Sequence, residues 1–119
     1  MYASELDWVE LPWPPSVNNY FKRNGRRTFL PKEALVFRDE VAKAFGKLEP
    51  ETGHLHLMID QHPKNNVRRD IDNYIKPLMD AMQVCGVMVD DVQVKRLSVV
   101  RGENIEGGCC FVKVERIEC

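Results

Sequence analysis

The stretch from Arg68 to Asp91, RRDIDNYIKPLMDAMQVCGVMVDD, opens on two cations, continues with two acids in Asp-x-Asp spacing and closes on Asp90 and Asp91. Charges of both signs around a short apolar-periodic segment are costly to bury, so the stretch is expected to line a wet cleft. In extended backbone Asp70 and Asp72 face the same way, roughly 7 Å apart along the chain, so both carboxylates can converge on one cation. If Asp91, on the approach to a later strand, is carried back beside them, three acids meet at one point. Such a set, without His or Cys partners, favours magnesium, with manganese as a substitute, over zinc. The chemistry implied is hydrolysis of a phosphodiester, in which a metal lowers the pKa of a bound water and stabilises charge on the phosphoryl oxygens.

A plainer reading competes. An Asp just before an apolar-periodic run commonly caps a helix, accepting an N–H of the first turn. One Asp can cap, and a second is then left over. Arg68, Arg69 and Lys76 can likewise serve as salt-bridge partners, with Lys76 one helical turn after Asp72.

Around these acids, Ile71, Ile75, Leu78, Met79 and Met82 form a helical stripe that Gly86 would end with a left-handed cap. With Asp72 or Asn73 as N-cap, Pro77 falls at the fourth or fifth helical position, removes a backbone bond and distorts the first turn. Upstream, Ala34, Phe37, Val41, Phe45 and Leu48 predict an amphipathic helix beginning near Pro31. Residues 54–60, HLHLMID, alternate as a half-buried strand with Leu55, Leu57 and Ile59 on one face. Leu6 to Leu11 reads as a first strand stopped by prolines. Asn24-Gly25 reads as a turn between two short extended arms. Val92 to Arg101 and Cys110 to Glu115 read as a terminal hairpin around Gly102 to Gly108. The order predicts an α+β domain spanning residues 1–119, a two-layer sandwich of a mixed β-sheet with two helices packed on one face.

With 119 residues, 44% of them hydrophobic, one domain of this size buries roughly 65% of its unfolded surface without staples. A formal charge of −1 argues against binding nucleic acid through overall positive charge, so any polyanion must meet a local patch. The acidic N-terminus and the lack of a long apolar run predict a protein that is neither exported nor in a membrane, at work in the cytoplasm. Cys85, Cys109, Cys110 and Cys119 have no C-x-x-C spacing and read as reduced thiols. His54, His56 and His62 have no Cys at zinc-ligand spacing, and strand alternation explains the first two.

RRDIDNYIKPLMDAMQ followed by VMVDDVQV resembles the signature of the RusA family of Holliday-junction resolvases. The upstream LPWPPSVNNYFKRNGRRTFLP is similar to that family's Pro-Pro-Ser-x-Asn segment and basic loop, so the resemblance covers most of the chain in order. It implies a magnesium-dependent endonuclease acting on four-way DNA junctions in recombination and repair, of bacterial or phage origin. By position, Asp70, Asp72 and Asp91 fall on the family's catalytic metal-binding acids and Lys76 on its functional lysine. The role of Asp90 stays open.

Lys22, Arg23, Arg26 and Arg27, interleaved with Tyr20, Phe21 and Phe29, are suited to phosphates and unstacked bases. Lys64, Arg68 and Arg69 add a second basic cluster beside the acids. A four-way junction has approximate twofold symmetry, and cutting two opposed strands calls for a twofold homodimer. The rival expectations are a binding module without chemistry, in which the acids only cap and pair, and a metal nuclease acting on RNA or another branched substrate.

Overall fold

The computed structural model describes residues 1–24 and 27–118. Four strands form the main sheet: β1 (Val9–Pro12), β4 (Leu55–His62), β5 (Val94–Arg101) and β6 (Cys109–Arg116). Strands β2 (Lys22–Asn24) and β3 (Arg27–Phe29) pair as a separate antiparallel ribbon. The helices are the short α1 (Val17–Tyr20), α2 (Lys32–Phe45) and α3 (Ile75–Val84), with 3-10 turns at Ala3–Glu5, Ile71–Tyr74 and Asp91–Gln93.

The sheet order is β1-β6-β4-β5, with β4 antiparallel to β6 and parallel to β5. The mixed α+β sheet is as predicted, but the terminal hairpin is not. Burial explains the difference. β6 buries Cys109, Cys110, Val112 and Val114 and so takes an interior place between β1 and β4, whereas no residue of β5 is buried. β5 therefore sits at the edge, where Lys95, Arg96 and Arg101 discourage further strand pairing. The link from β5 to β6 crosses the end of β4, where Gly102 N–H donates to the Gln61 carbonyl and Ile105 N–H to the Pro63 carbonyl. A Cβ at Gly102 would lie 2.5 Å from the His62 ring, so any other residue there requires that ring to move.

Period-2 burial along β4 puts Leu55, Leu57, Ile59 and Gln61 inward. The three apolar residues share one core with Ala34, Phe37, Val41 and Phe45 of α2 and Leu78, Ala81 and Met82 of α3. The first strand starts later than predicted, at Val9, because Ala3–Glu5 folds as a 3-10 turn. Helix α3 ends as predicted. Gly86 has φ 91°, and the Gly86 and Val87 N–H groups donate to the Gln83 and Met82 carbonyls in a Schellman closure.

Pro77 is placed differently from the prediction. Residues Ile71–Tyr74 form a 3-10 turn, so α3 begins only at Ile75 and Pro77 is its third residue. The first four N–H groups of a helix have no intrahelical acceptor, so the proline forfeits no bond. The tighter turn before it shifts the start of α3 and sets the geometry of the acids.

At the root of the basic ribbon, Tyr20 is fully buried and donates to Asp80 Oδ2 of α3 at 2.5 Å. Arg38 of α2 donates to both, through Nε to Tyr20 Oη and Nη2 to Asp80 Oδ2, each at 2.7 Å. Burial pushes the Tyr20 hydroxyl up to about 12, so it stays a donor throughout the physiological range. Arg26 and the side chains of Arg23 and Arg27 lie outside the described residues, as does Cys119. Among the described cysteines, Cys85, Cys109 and Cys110 are free thiols. No helix among the described residues is long and apolar enough to cross a membrane.

Candidate active site

Strand β4 carries the chain to the site, and its last inward residue anchors the acidic turn. Gln61 is 2% exposed, and its Nε2 donates to the Ile71 carbonyl at 3.0 Å, holding the 3-10 turn between Asp70 and Asp72 against the sheet. The Gln61 Oε1 has no hydrogen-bond partner among the described residues. Asp70 occupies the N-cap position of the turn, yet neither that turn nor α3 has a side-chain cap bond. The capping explanation of the Asp-x-Asp pair therefore does not hold.

Asp70 and Asp72 are exposed and line an open cleft of about 540 Å³ together with Arg68, Arg69, Ile71 and Arg101. The salt-bridge explanation fails as well. Arg69 Nη1 donates to the Val67 carbonyl at 2.9 Å and the Asn65 carbonyl at 3.3 Å, and Arg101 Nη2 donates to the Arg69 carbonyl at 2.5 Å. Among the described residues no cation pairs with Asp70 or Asp72. Two carboxylates thus stay unpaired in a cleft where the Arg69 and Arg101 guanidinium groups bond backbone oxygens instead.

The distal acids divide their labour. Asp90 is the N-cap of the 3-10 turn Asp91–Gln93, and its side chain accepts from Val92 N–H at 3.0 Å. Gln93 completes the box by accepting from the Val89 and Asp90 N–H groups while donating to the Glu51 and Gly53 carbonyls. Asp90 is thereby committed to structure. Asp91, its N–H held by Gln83 Oε1 at 3.0 Å, sends its carboxylate to Lys76 Nζ at 3.1 Å. That hydrogen bond from Lys76 holds the Asp91 carboxyl below its ordinary value, against a smaller opposing effect of burial. Lys76 thus pairs with Asp91 and not, as the helical spacing suggested, with Asp72.

The expectation of three acids meeting at one ion is not realised by these side-chain positions. Among the described residues no group of three His, Cys, Asp or Glu side chains is close enough to hold a metal. Asp91 instead has the Lys76 ammonium as its partner at 3.1 Å. The donor chemistry still fits a hard divalent ion, since two carboxylates have no competing partner and the third is tied by one half-exposed ammonium.

Of the predicted basic residues, Lys64, Arg68 and Arg69 flank the acids: Arg68 and Arg69 in the cleft, Lys64 with Arg69 in an adjoining pocket. Lys22 is on the ribbon, donating from Nζ to Asn19 Oδ1 at 3.1 Å. Sequence reasoning missed Gln61, Arg101, Trp13 and Tyr74. The Trp13 and Tyr74 rings meet edge to face with centroids 4.9 Å apart, so the Pro-rich segment touches the turn bearing Asp72. The alternation of β4 into Gln61, a polar residue at an inward position, was the available signal for the first of these.

The family model described as endodeoxyribonuclease RusA matches residues 12–115. The crossover junction endodeoxyribonuclease RusA of Escherichia coli strain K12 is 35% identical over 103 residues, covering 84% of this chain and 86% of that protein. The protein of the same name from Enterobacteria phage 82 is 35% identical over the same length, and that of Enterobacteria phage HK97 29% over 111 residues, 91% of this chain and 92% of its own. With the matched region taking in both long helices, the three long strands but for the last residue of β6, and the whole acidic cleft, the chain belongs to the RusA endodeoxyribonuclease family.

Proposed function

We propose that this chain is a magnesium-dependent crossover-junction endodeoxyribonuclease that resolves four-way DNA by paired, symmetric phosphodiester hydrolysis. The observation that carries the reading is the unpaired state of Asp70 and Asp72 in a cleft lined by Arg68, Arg69 and Arg101. Exposed carboxylates without ionic partners are free to take a hard divalent ion. The relatives' names supply the substrate class. Their bacterial and phage sources fit work in the bacterial cytoplasm.

Asp70, Asp72 and Asp91 would hold the ion, with Asp91 exchanging its Lys76 contact for the metal. A bound magnesium or manganese supplies a water of lowered pKa and positive charge at the phosphoryl oxygens. Lys76 would then donate to the scissile phosphate. Gln61 keeps the turn of the two acids fixed, and Arg68, Arg69 and Lys64, with Lys22, Arg23, Arg26 and Arg27, would grip flanking phosphates. Two opposed cuts in a nearly twofold substrate require two sites, which a homodimer of this chain provides.

A mobile four-way junction incubated with and without magnesium, beside linear duplex, tests the reading. Cleavage of the junction alone, only with the ion and at symmetric positions, is expected. Asp70→Asn and Asp72→Asn should bind the junction and not cut it, and retained cleavage would overturn the assignment. A second reading, a binding module without chemistry, draws on the lack of a three-carboxylate cluster among the described residues. It predicts binding with or without magnesium and no cutting.

A further inference from the structure

Beside the acidic cleft lies a smaller pocket of about 210 Å³, formed by Trp13, Lys64, Arg69, Gly107 and Gly108. It shares Arg69 with the cleft that holds Asp70 and Asp72. Its construction is specific. Pro12 pairs with Cys109 at the end of the β1–β6 ladder, which puts Trp13 next to Gly108. A Cβ at Gly108 would sit 3.4 Å from both Trp13 Cβ and the Lys64 backbone nitrogen, and Gly107 and Gly108 have φ values of 80° and 73°, so both positions favour glycine. Trp13 is only partly buried, its ring packed edge to face on Tyr74 and with the Arg69 guanidinium carbon 5.9 Å from its centroid.

The volume falls under the roughly 300 Å³ at which sites for whole small molecules begin, so it admits one planar ring system. An aromatic wall, two cations and a backbone floor suit an unstacked nucleobase with its phosphate outside. The hollow on the other side of the Pro-rich segment is rimmed by Glu33 and Glu40 and would repel that phosphate. Tyr74 lies two residues from Asp72 and two from Lys76, so a base held by Trp13 belongs to a nucleotide close to the cut.

We propose that the Trp13–Lys64–Arg69 pocket captures one unpaired nucleobase of the junction next to the scissile phosphate and thereby sets which sequence is cut. This rests on the reading of the chain as a junction nuclease. Its test separates the two. In a Trp8→Phe, Asp70→Asn protein Trp13 is the sole tryptophan and cleavage is blocked. Its emission should fall at least twofold with a four-way junction and stay unchanged with linear duplex. Unchanged emission with the junction overturns the pocket, whatever the wild-type protein cuts. In the cleaving protein, Trp13→Ala and the surface change Lys64→Ala should each reduce at least tenfold the rate difference between junctions that differ only beside the cut, while Trp13→Phe keeps it. Undiminished discrimination also overturns the pocket. Quenching by the junction without any wild-type cleavage in magnesium would sink the nuclease reading and leave the base pocket standing.

Discussion

At the scale of single residues, the site separates groups committed to structure from groups left free. Asp90 and Asp91 are adjacent and of one type, yet only Asp90 caps a turn. Asp90→Ala is expected to cost about 1 kcal/mol of stability and to keep cleavage, whereas Asp91→Asn loses cleavage and, giving up only the half-exposed pair with Lys76, costs less than about 1 kcal/mol; urea melts beside junction assays check both. Because Lys76 holds the Asp91 carboxyl low, the pair contributes stability that is present above the ordinary carboxylate range and lost as pH falls through the lowered value. Lys76→Met should raise the Asp91 pKa, read by carboxyl carbon shifts in an NMR titration, and no rise would detach the lysine from the acid. Asp70, Asp72 and Asp91 could be picked out from residue type and spacing, and Lys76 only from its position in the family resemblance. Gln61 could not, since its value lies in one bond to the Ile71 carbonyl that only the folded turn creates.

Among the elements, β4 and its crossover to β5 do most to position the site. Local periodicity revealed α2, α3 and β4, because each buries one face of regular period. The partner of β5 was not legible. Strand pairing depends on which segments tolerate an edge, a property of the whole sheet that adjacency in sequence does not encode. The 3-10 turn before Pro77 was missed for a related reason: the proline tolerates several starts of α3, and the Gln61 contact selects one. A further link joins elements far apart in sequence, as Tyr20 and Arg38 tie the base of the basic ribbon to Asp80 of α3. Tyr20→Phe removes one buried hydroxyl and should cost about 1–2 kcal/mol. Junction affinity should fall with it while the magnesium dependence of the residual cleavage stays put; an unaltered affinity would mean the ribbon is not held through this bond.

For the molecule as a whole, a formal charge of −1 makes DNA binding a matter of where the cations are. Lys64, Arg68, Arg69 and Arg101 cluster around the acids, so a triple Ala replacement of Lys64, Arg68 and Arg69 should flatten the dependence of log K on log salt by roughly two to three phosphate contacts' worth, about 0.9 per contact on duplex arms. An unchanged slope would place the DNA elsewhere. The proposed mechanism has one ion shared between the turn after β4 and the turn before β5. Manganese binding, followed by the loss of the free-ion paramagnetic resonance signal, measures this directly in wild type, Asp70→Asn and Asp91→Asn. One strong site per chain, weakened at least tenfold by either substitution alone, is the predicted result. Asp91→Asn binding manganese as tightly as wild type would contradict it.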